Sequence, residues 1–244
     1  MSRVIAVLGA GTGLGVAVAR RFGREGFRVA LVARREDRLN ALVEELGGEG
    51  VEAAAFPADL AEPAGVPALV EAVRGRLGRI DVVAYGPISG EQGFTPAAEL
   101  DAAALEDLVP LLLLTPVEVV RAVLPEWTER GDGAFLLAQG YSAARPMPDL
   151  SGLGPVMAAT RNYLHSLHAE LADKGVYAGA LTIASLIDRS EVSAAARAAF
   201  DAADGPRFPV ADPDDLAEHY WNMYTVRDRA ERFHPESLTP PTTA

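Results

Sequence analysis

Val4-Ile5-Ala6-Val7-Leu8-Gly9-Ala10-Gly11-Thr12-Gly13-Leu14-Gly15 is the stretch that decides the architecture. Five consecutive apolar residues read as a strand buried on both faces. The glycines that follow permit a tight turn, and from Leu14 the apolar spacing becomes that of an amphipathic helix. Strand, glycine turn and helix start, in that order, form a phosphate cradle. The glycines let the backbone approach a pyrophosphate, and the first free N–H groups and positive dipole end of the helix stabilise its charge.

Outward from this unit, strand-like runs alternate with helix-period segments. Strands are expected at Val4 to Leu8, Arg28 to Ala33, Val51 to Phe56, Ile80 to Ala84, Ala134 to Ala138 and Val176 to Ile183. Helices are expected at Leu14 to Arg24, Asp37 to Leu46, Pro63 to Leu77, Leu100 to Arg130 with a proline irregularity, Gly154 to Asp173 and Pro213 to Arg229. Such alternation predicts an α/β fold, a doubly wound parallel sheet of six or seven strands with helices on both faces. Residues 1–233 read as one domain, with an alanine-rich lid segment at 185–212. The proline-marked stretch 234–244 lacks apolar periodicity and is expected to be a flexible tail.

Composition narrows the chemistry. The chain has 244 residues, 49% of them apolar, enough to bury one full core. A net charge of −12 repels phosphate backbones and anionic lipid, so neither nucleic acid nor a membrane surface is an expected partner. With no cysteine and four scattered histidines, neither a disulfide framework, a thiolate nucleophile nor a metal site is expected. The greasiest run, Leu108 to Val120, is interrupted by Pro110 and Pro116 and reads as too short for a bilayer span. A cytoplasmic location follows as an expectation.

Gly9-x-x-x-Gly13-x-Gly15 after a strand, Asp59-Leu60 after the third strand, and the chain length together resemble the short-chain dehydrogenase/reductase family, over nearly the whole chain. Arg121-Ala122-Val123-Leu124-Pro125, Gly133-Ala134-Phe135-Leu136-Leu137 and His168-Ala169-Glu170-Leu171 fix the register without a gap. The resemblance implies a Rossmann-type fold and a nicotinamide dinucleotide held by Gly9, Gly11, Thr12, Gly13, Leu14, Gly15, Asp59 and Leu60. Arg34 and Arg35 follow the second strand, where an NAD-preferring enzyme places an acid on the ribose 2′-OH. An arginine there suits a 2′-phosphate, so NADP(H) is the expected cofactor, with no acid competing for the site.

The same register departs from the family at its chemistry. The catalytic serine position falls on Gly140, the tyrosine thirteen residues later on Leu153, the lysine on Met157 and the helix asparagine on Leu112. The chain thus reads as a divergent member lacking the Asn-Ser-Tyr-Lys tetrad. The family's Asn-Asn-Ala-Gly becomes Ala84-Tyr85-Gly86-Pro87. Leucine and methionine neither donate a proton nor hold a ribose, and losing a positioned acid removes about 10²–10⁴ in rate.

Tyr141, Ser142 and Tyr85 are the candidate catalytic residues, because they lie at the carboxyl ends of strands, where ligands bind in such sheets; Tyr141 leads as proton donor. Arg161 and His165, on the helix past Met157, are expected on a surface or dimer face. Whether the chain is an enzyme stays open among three readings. One is an enzyme acting on an apolar small molecule by non-redox isomerisation, elimination or cyclisation. The second is an NADPH-dependent reductase with a relocated acid, and the third an inactive dinucleotide sensor or partner subunit. The resemblance also implies a homodimer or homotetramer.

Overall fold

The computed structural model describes residues 2–88, 95–191, 193–194, 197–198 and 209–239. Its strands are β1 Val4–Leu8, β2 Arg28–Ala33, β3 Ala53–Pro57, β4 Val82–Tyr85, β5 Gly133–Gly140, β6 Val176–Ile183, β7 Leu186–Ile187, β8 Val210–Ala211 and β9 Glu231–His234. Its helices are α1 Leu14–Arg24, α2 Glu36–Gly48, α3 Val66–Leu77, α4 Ala102–Val109, α5 Thr115–Arg130, α6 Leu153–Leu171 and α7 Pro213–Val226. Seven strands make one sheet in the order β3-β2-β1-β4-β5-β6-β9, every pairing parallel. The doubly wound α/β architecture expected from the sequence is therefore present.

Alternation along each strand sorts the core into two layers. Ile5, Val7, Val29, Leu31 and Leu136 point to α1, α2 and α7, while Ala6, Leu8, Val83, Phe135 and Leu137 point to α3, α5 and α6. Strands buried on both faces read as continuous apolar runs, which is why β1, β2 and β6 are plain in the sequence. Trp127 of α5 is buried against this second layer, and its indole N–H donates to Ile80 O at 2.8 Å.

The proline irregularity is one turn of π-helix, Pro110–Leu114, joining α4 to α5. Pro110 has no N–H to donate, so the α-helical ladder cannot continue unchanged through it. Ala102–Arg130 is nonetheless helical throughout, 29 residues with a window of mean hydropathy 1.8, long and apolar enough to cross a membrane by length and composition. The expectation of a run too short for that is corrected: the prolines do not break it. Val119, Val120, Val123 and Trp127 pack its inner face into the core.

The C-terminal expectations also need correction. α7 ends at Val226 because Arg227 takes a left-handed conformation, φ 55°, and a final strand follows. His234, placed at the start of a loose tail by sequence, pairs with Ile183 as the last residue of β9, and Glu236–Leu238 form a 3-10 turn. Residues 240–244 lie outside the described residues, as do 199–208 of the lid segment. The ends of that segment are described: β7 pairs in parallel with β8.

Candidate functional site

β1 and β4 are adjacent while their chain continuations leave in opposite directions, β1 toward β2 and β4 toward β5. Ligands of such sheets bind in the crevice outside the carboxyl ends at this switch point. The glycine loop lies there, and each glycine has its own reason. Gly9 has φ 95°, and a Cβ on it would stand 2.5 Å from Pro87 N. A Cβ on Gly15 would meet Gly9 O and Ala10 Cα at 2.9 Å, so Gly15 lets α1 close on the turn. Gly11 is different: nothing lies within 4 Å of its Cβ position. Gly11 and Thr12 are exposed and Leu14 packs on the core. α1 begins at Leu14 after the N-cap Gly13, with no side-chain cap and no acid in its first turn. Its own first turn supplies no counter-charge to the N-terminal dipole.

The ribose-side candidates sit at the ends of β2 and β3. Arg34 and Arg35 are exposed. Asp59 is exposed too, its Oδ1 accepting from Ala61 N at 2.9 Å, while Leu60 is buried and its carbonyl accepts from Thr115 Oγ1 at 2.7 Å. One expectation fails here. An acid does compete at the arginines: Glu191 Oε2 lies 3.1 Å from Arg35 Nη2, and the same carboxylate pairs with Arg38. Glu191 is far away in sequence and reaches Arg35 only because the chain after β6 folds back over the glycine loop.

Across the switch point, the four positions set by register differ in kind. Leu112 and Met157 are buried with Ala143 and Val156 in a small apolar cluster, and Leu153, Leu105 and Leu108 pack against it. A Cβ on Gly140 would stand 3.7 Å from Met157 Sδ and 3.7 Å from Ser142 Oγ. Gly140, Met157 and Ser142 therefore share one locus. The π-helical turn borders it, with its Leu111 and Leu112 carbonyls accepting from Tyr85 Oη and Thr160 Oγ1, both at 2.5 Å.

The three catalytic candidates separate accordingly. Tyr85 is buried, its hydroxyl bonded to the Leu111 carbonyl and its ring stacked on Phe135 at 6.1 Å. Burial pushes its hydroxyl far above the ordinary phenol range. Tyr85 is thus a core aromatic, not an open donor. Tyr141 lies in the 3-10 turn Tyr141–Ala143, its ring edge-on to Phe233 of β9 at 6.3 Å. Ser142, in the same turn, is the hydroxyl beside Gly140.

A charged cluster that sequence reading missed flanks this locus. Arg161 Nε donates to Glu231 Oε1 at 2.9 Å and Oε2 at 3.0 Å, and His165 Nε2 lies 3.3 Å from Oε2. Thr182 Oγ1 donates to Glu231 Oε1 at 2.5 Å, and Gln139 Nε2 donates to Thr182 Oγ1 at 2.8 Å. The Glu231 side chain is only 6% exposed. Burial alone would raise its carboxyl, but the contacts from His165, Arg161 and Thr182 outweigh that and pull it to about 2. Arg161 and His165, expected on a surface or dimer face, are partly exposed and also fasten α6 to the edge strand. The only signal was an acid in a short polar run, which patterning does not distinguish from a loop.

A glycine cradle at the switch point of a parallel sheet, with a bare helix N-terminus, defines a dinucleotide-binding α/β protein. Residues 3–197 match the family model of the short chain dehydrogenases, and the chain belongs to that family. A short chain dehydrogenase of Pseudocercospora fijiensis is 31% identical over 182 residues, covering 74% of this chain and 58% of the relative. The chain thus spans less than two thirds of that relative's length. An actinorhodin polyketide ketoreductase crystallised with NADPH superposes with a TM-score of 0.84 at 25% identity, covering 94% of each chain. A Pseudomonas aeruginosa short chain oxidoreductase described as containing an atypical catalytic center gives a TM-score of 0.84 at 21% identity over 98% of each chain, a likeness of fold.

Proposed function

We propose that this chain is an NADP(H)-binding enzyme of its family whose usual catalytic tetrad is absent. On this reading it acts on an apolar small molecule by chemistry that does not need the tetrad, such as isomerisation, elimination or cyclisation. The observation that carries the reading is the apolar cluster of Leu112, Leu153 and Met157 beside Gly140. Where a proton donor and a ribose anchor belong in this family, the chain offers hydrocarbon and a thioether, which bind apolar surface.

The residues present suit a dinucleotide. The open space over Gly11 and the uncapped start of α1 fit a pyrophosphate, and Arg34 and Arg35 fit a 2′-phosphate. Such a cofactor, when bound, supplies a hydride. The chain's own part is to hold the nucleotide by backbone N–H groups and arginines, and to exclude water at Met157 and Leu153. Ser142 is the hydroxyl that can hold a polar substrate atom at Gly140.

That last point favours a second reading, a reductase with a relocated donor. Ser142 Oγ stands 3.7 Å from the Gly140 Cβ position, whereas Tyr141 packs on Phe233. A serine hydroxyl is a weaker acid than a phenol, so this reductase would be slow. The readings separate by assaying apolar ketones with NADPH in wild type and Ser142→Ala. The first reading expects no ketone-dependent oxidation in either, the second a slow rate that Ser142→Ala removes. Saturable NADPH binding with no chemistry on any apolar substrate class would leave the sensor.

A homodimer is part of the proposal. Leu114, at the junction of the π-turn and α5, is 44% exposed on a helix whose inner face already packs the core. A second copy packed at this junction would cover Leu114. Light scattering of dilute protein should give twice the chain mass or a higher multiple, and monomer alone contradicts it.

A further inference from the structure

The chain after β6 does not leave the glycine loop open; it is tied across it. Thr12 Oγ1 donates to Arg189 O at 2.9 Å, and a Cβ on Gly13 would stand 2.9 Å from Ser190 Cβ. Arg189 itself has φ 58°, a conformation disfavoured for a side chain of its size. Its guanidinium is held by Asp214 at 2.9 Å and by Asp212 at 2.5 Å. From this pinned turn the next residue but one, Glu191, reaches Arg35 and Arg38. A carboxylate bridging two arginines is the arrangement that a phosphate would take in its place.

We propose that Glu191 is a specificity-determining residue: its carboxylate occupies the 2′-phosphate site at Arg35 and Arg38, so a 2′-phosphate binds there only by displacing it. This rests on the NADP(H) reading. The two ligand classes then meet different costs. A nucleotide with a free 2′-hydroxyl places no charge at this site and leaves both ion pairs standing. A nucleotide with a 2′-phosphate must break them, or bring its own negative charge against the carboxylate. The intrinsic preference of Arg34 and Arg35 for a 2′-phosphate is thereby reduced, and removing the carboxylate releases it. The arginines and Glu191 are about half exposed, so the effect is that of two surface pairs and not of a buried one.

Calorimetric titration of 2′,5′-ADP and 5′-AMP into wild type and Glu191→Gln isolates the contact from any redox step. Glu191→Gln should tighten 2′,5′-ADP by roughly threefold to tenfold, with 5′-AMP unmoved. Glu191→Ala should do the same, since the gain comes from losing the charge. Equal tightening of both nucleotides overturns the proposal, because the segment would then cover the nucleotide generally. An unchanged or weaker 2′,5′-ADP overturns it as well. A parallel titration of NADP⁺ separates the two levels. Binding that ignores Glu191→Gln sinks this inference alone, whereas no NADP⁺ binding to wild type or variant sinks the cofactor reading and this inference with it.

Discussion

The carboxyl ends of β1 and β5 lie on the same edge of one sheet and have opposite chemistry. At β1 lie a Gly11 with free space at its Cβ position, a helix N-terminus with no side-chain cap, and arginines paired with Glu191. At β5, Leu112, Leu153 and Met157 form an apolar cluster beside Gly140, with Ser142 as the neighbouring hydroxyl. On the proposed reading, a cofactor cradle and a catalytic centre are separable in this fold. The first is built from backbone geometry, which few substitutions can keep, and the second from side chains, which can change without disturbing the sheet.

The most damaging change should be at the first end. Gly9→Ala forces a left-handed φ and a clash with the Pro87 backbone, so a loss of about 3 kcal/mol is expected in denaturant unfolding. Gly11→Ala is its counterpart. Stability should stay within about 0.5 kcal/mol, while NADPH affinity falls by about tenfold because the methyl enters the space a phosphate needs. If the two variants behave alike, the glycines are only structural and the contrast between the ends disappears.

Beyond β5 and β6, at the far edge of the sheet, Glu231 holds the edge strand β9 to α6. Glu231→Gln leaves Arg161 without its carboxylate and should cost ~2–3 kcal/mol of stability by denaturant unfolding. The pH dependence has a definite sign. The folded carboxyl titrates at about 2 against 4.5 for the free group, so its contribution is complete above pH 4.5. It is lost as pH falls toward 2, by about 3 kcal/mol at most. Acid unfolding midpoints that coincide for wild type and Glu231→Gln would remove the carboxylate from this role.

The fold was largely legible because its strands are buried on both faces and its connections follow one alternation. α1 was read with the bounds it has, Leu14–Arg24. β9 was not, because an edge strand that carries Glu231 inward and Arg232 beside it has no apolar signature until Arg161 and Thr182 are known to neutralise the acid. At the site, glycines advertise themselves by spacing, so the β1 end could be read residue by residue. Glu191 could not, since its contact with Arg35 spans 156 positions and depends on how the chain turns at Arg189. For Tyr85 the sequence does not reveal that a π-turn carbonyl, Leu111 O, takes its hydroxyl. Gly140, Leu153 and Met157 are placed by register alone; in the structure Met157 Sδ stands 3.7 Å from the Gly140 Cβ position.

A smaller effect sharpens the β5 end. If Ser142 positions a polar substrate atom, Ser142→Ala should weaken binding of an apolar ketone or its alcohol by about 1 kcal/mol, read by calorimetry. Tyr141→Phe should leave that binding unchanged. The reverse pattern would restore Tyr141 as the working hydroxyl.

The separation of the two ends is tested most directly by one paired measurement, NADPH binding and ketone-dependent NADPH oxidation followed in the same wild-type sample. Saturable binding is predicted, with no ketone-dependent oxidation above the protein-free rate. In the triple variant Gly140→Ser, Leu153→Tyr, Met157→Lys, oxidation should rise by about 10²-fold or more over wild type. Wild-type oxidation at enzymatic rates that survives both Ser142→Ala and Tyr141→Phe would contradict the account, because catalysis would then run through groups it does not contain.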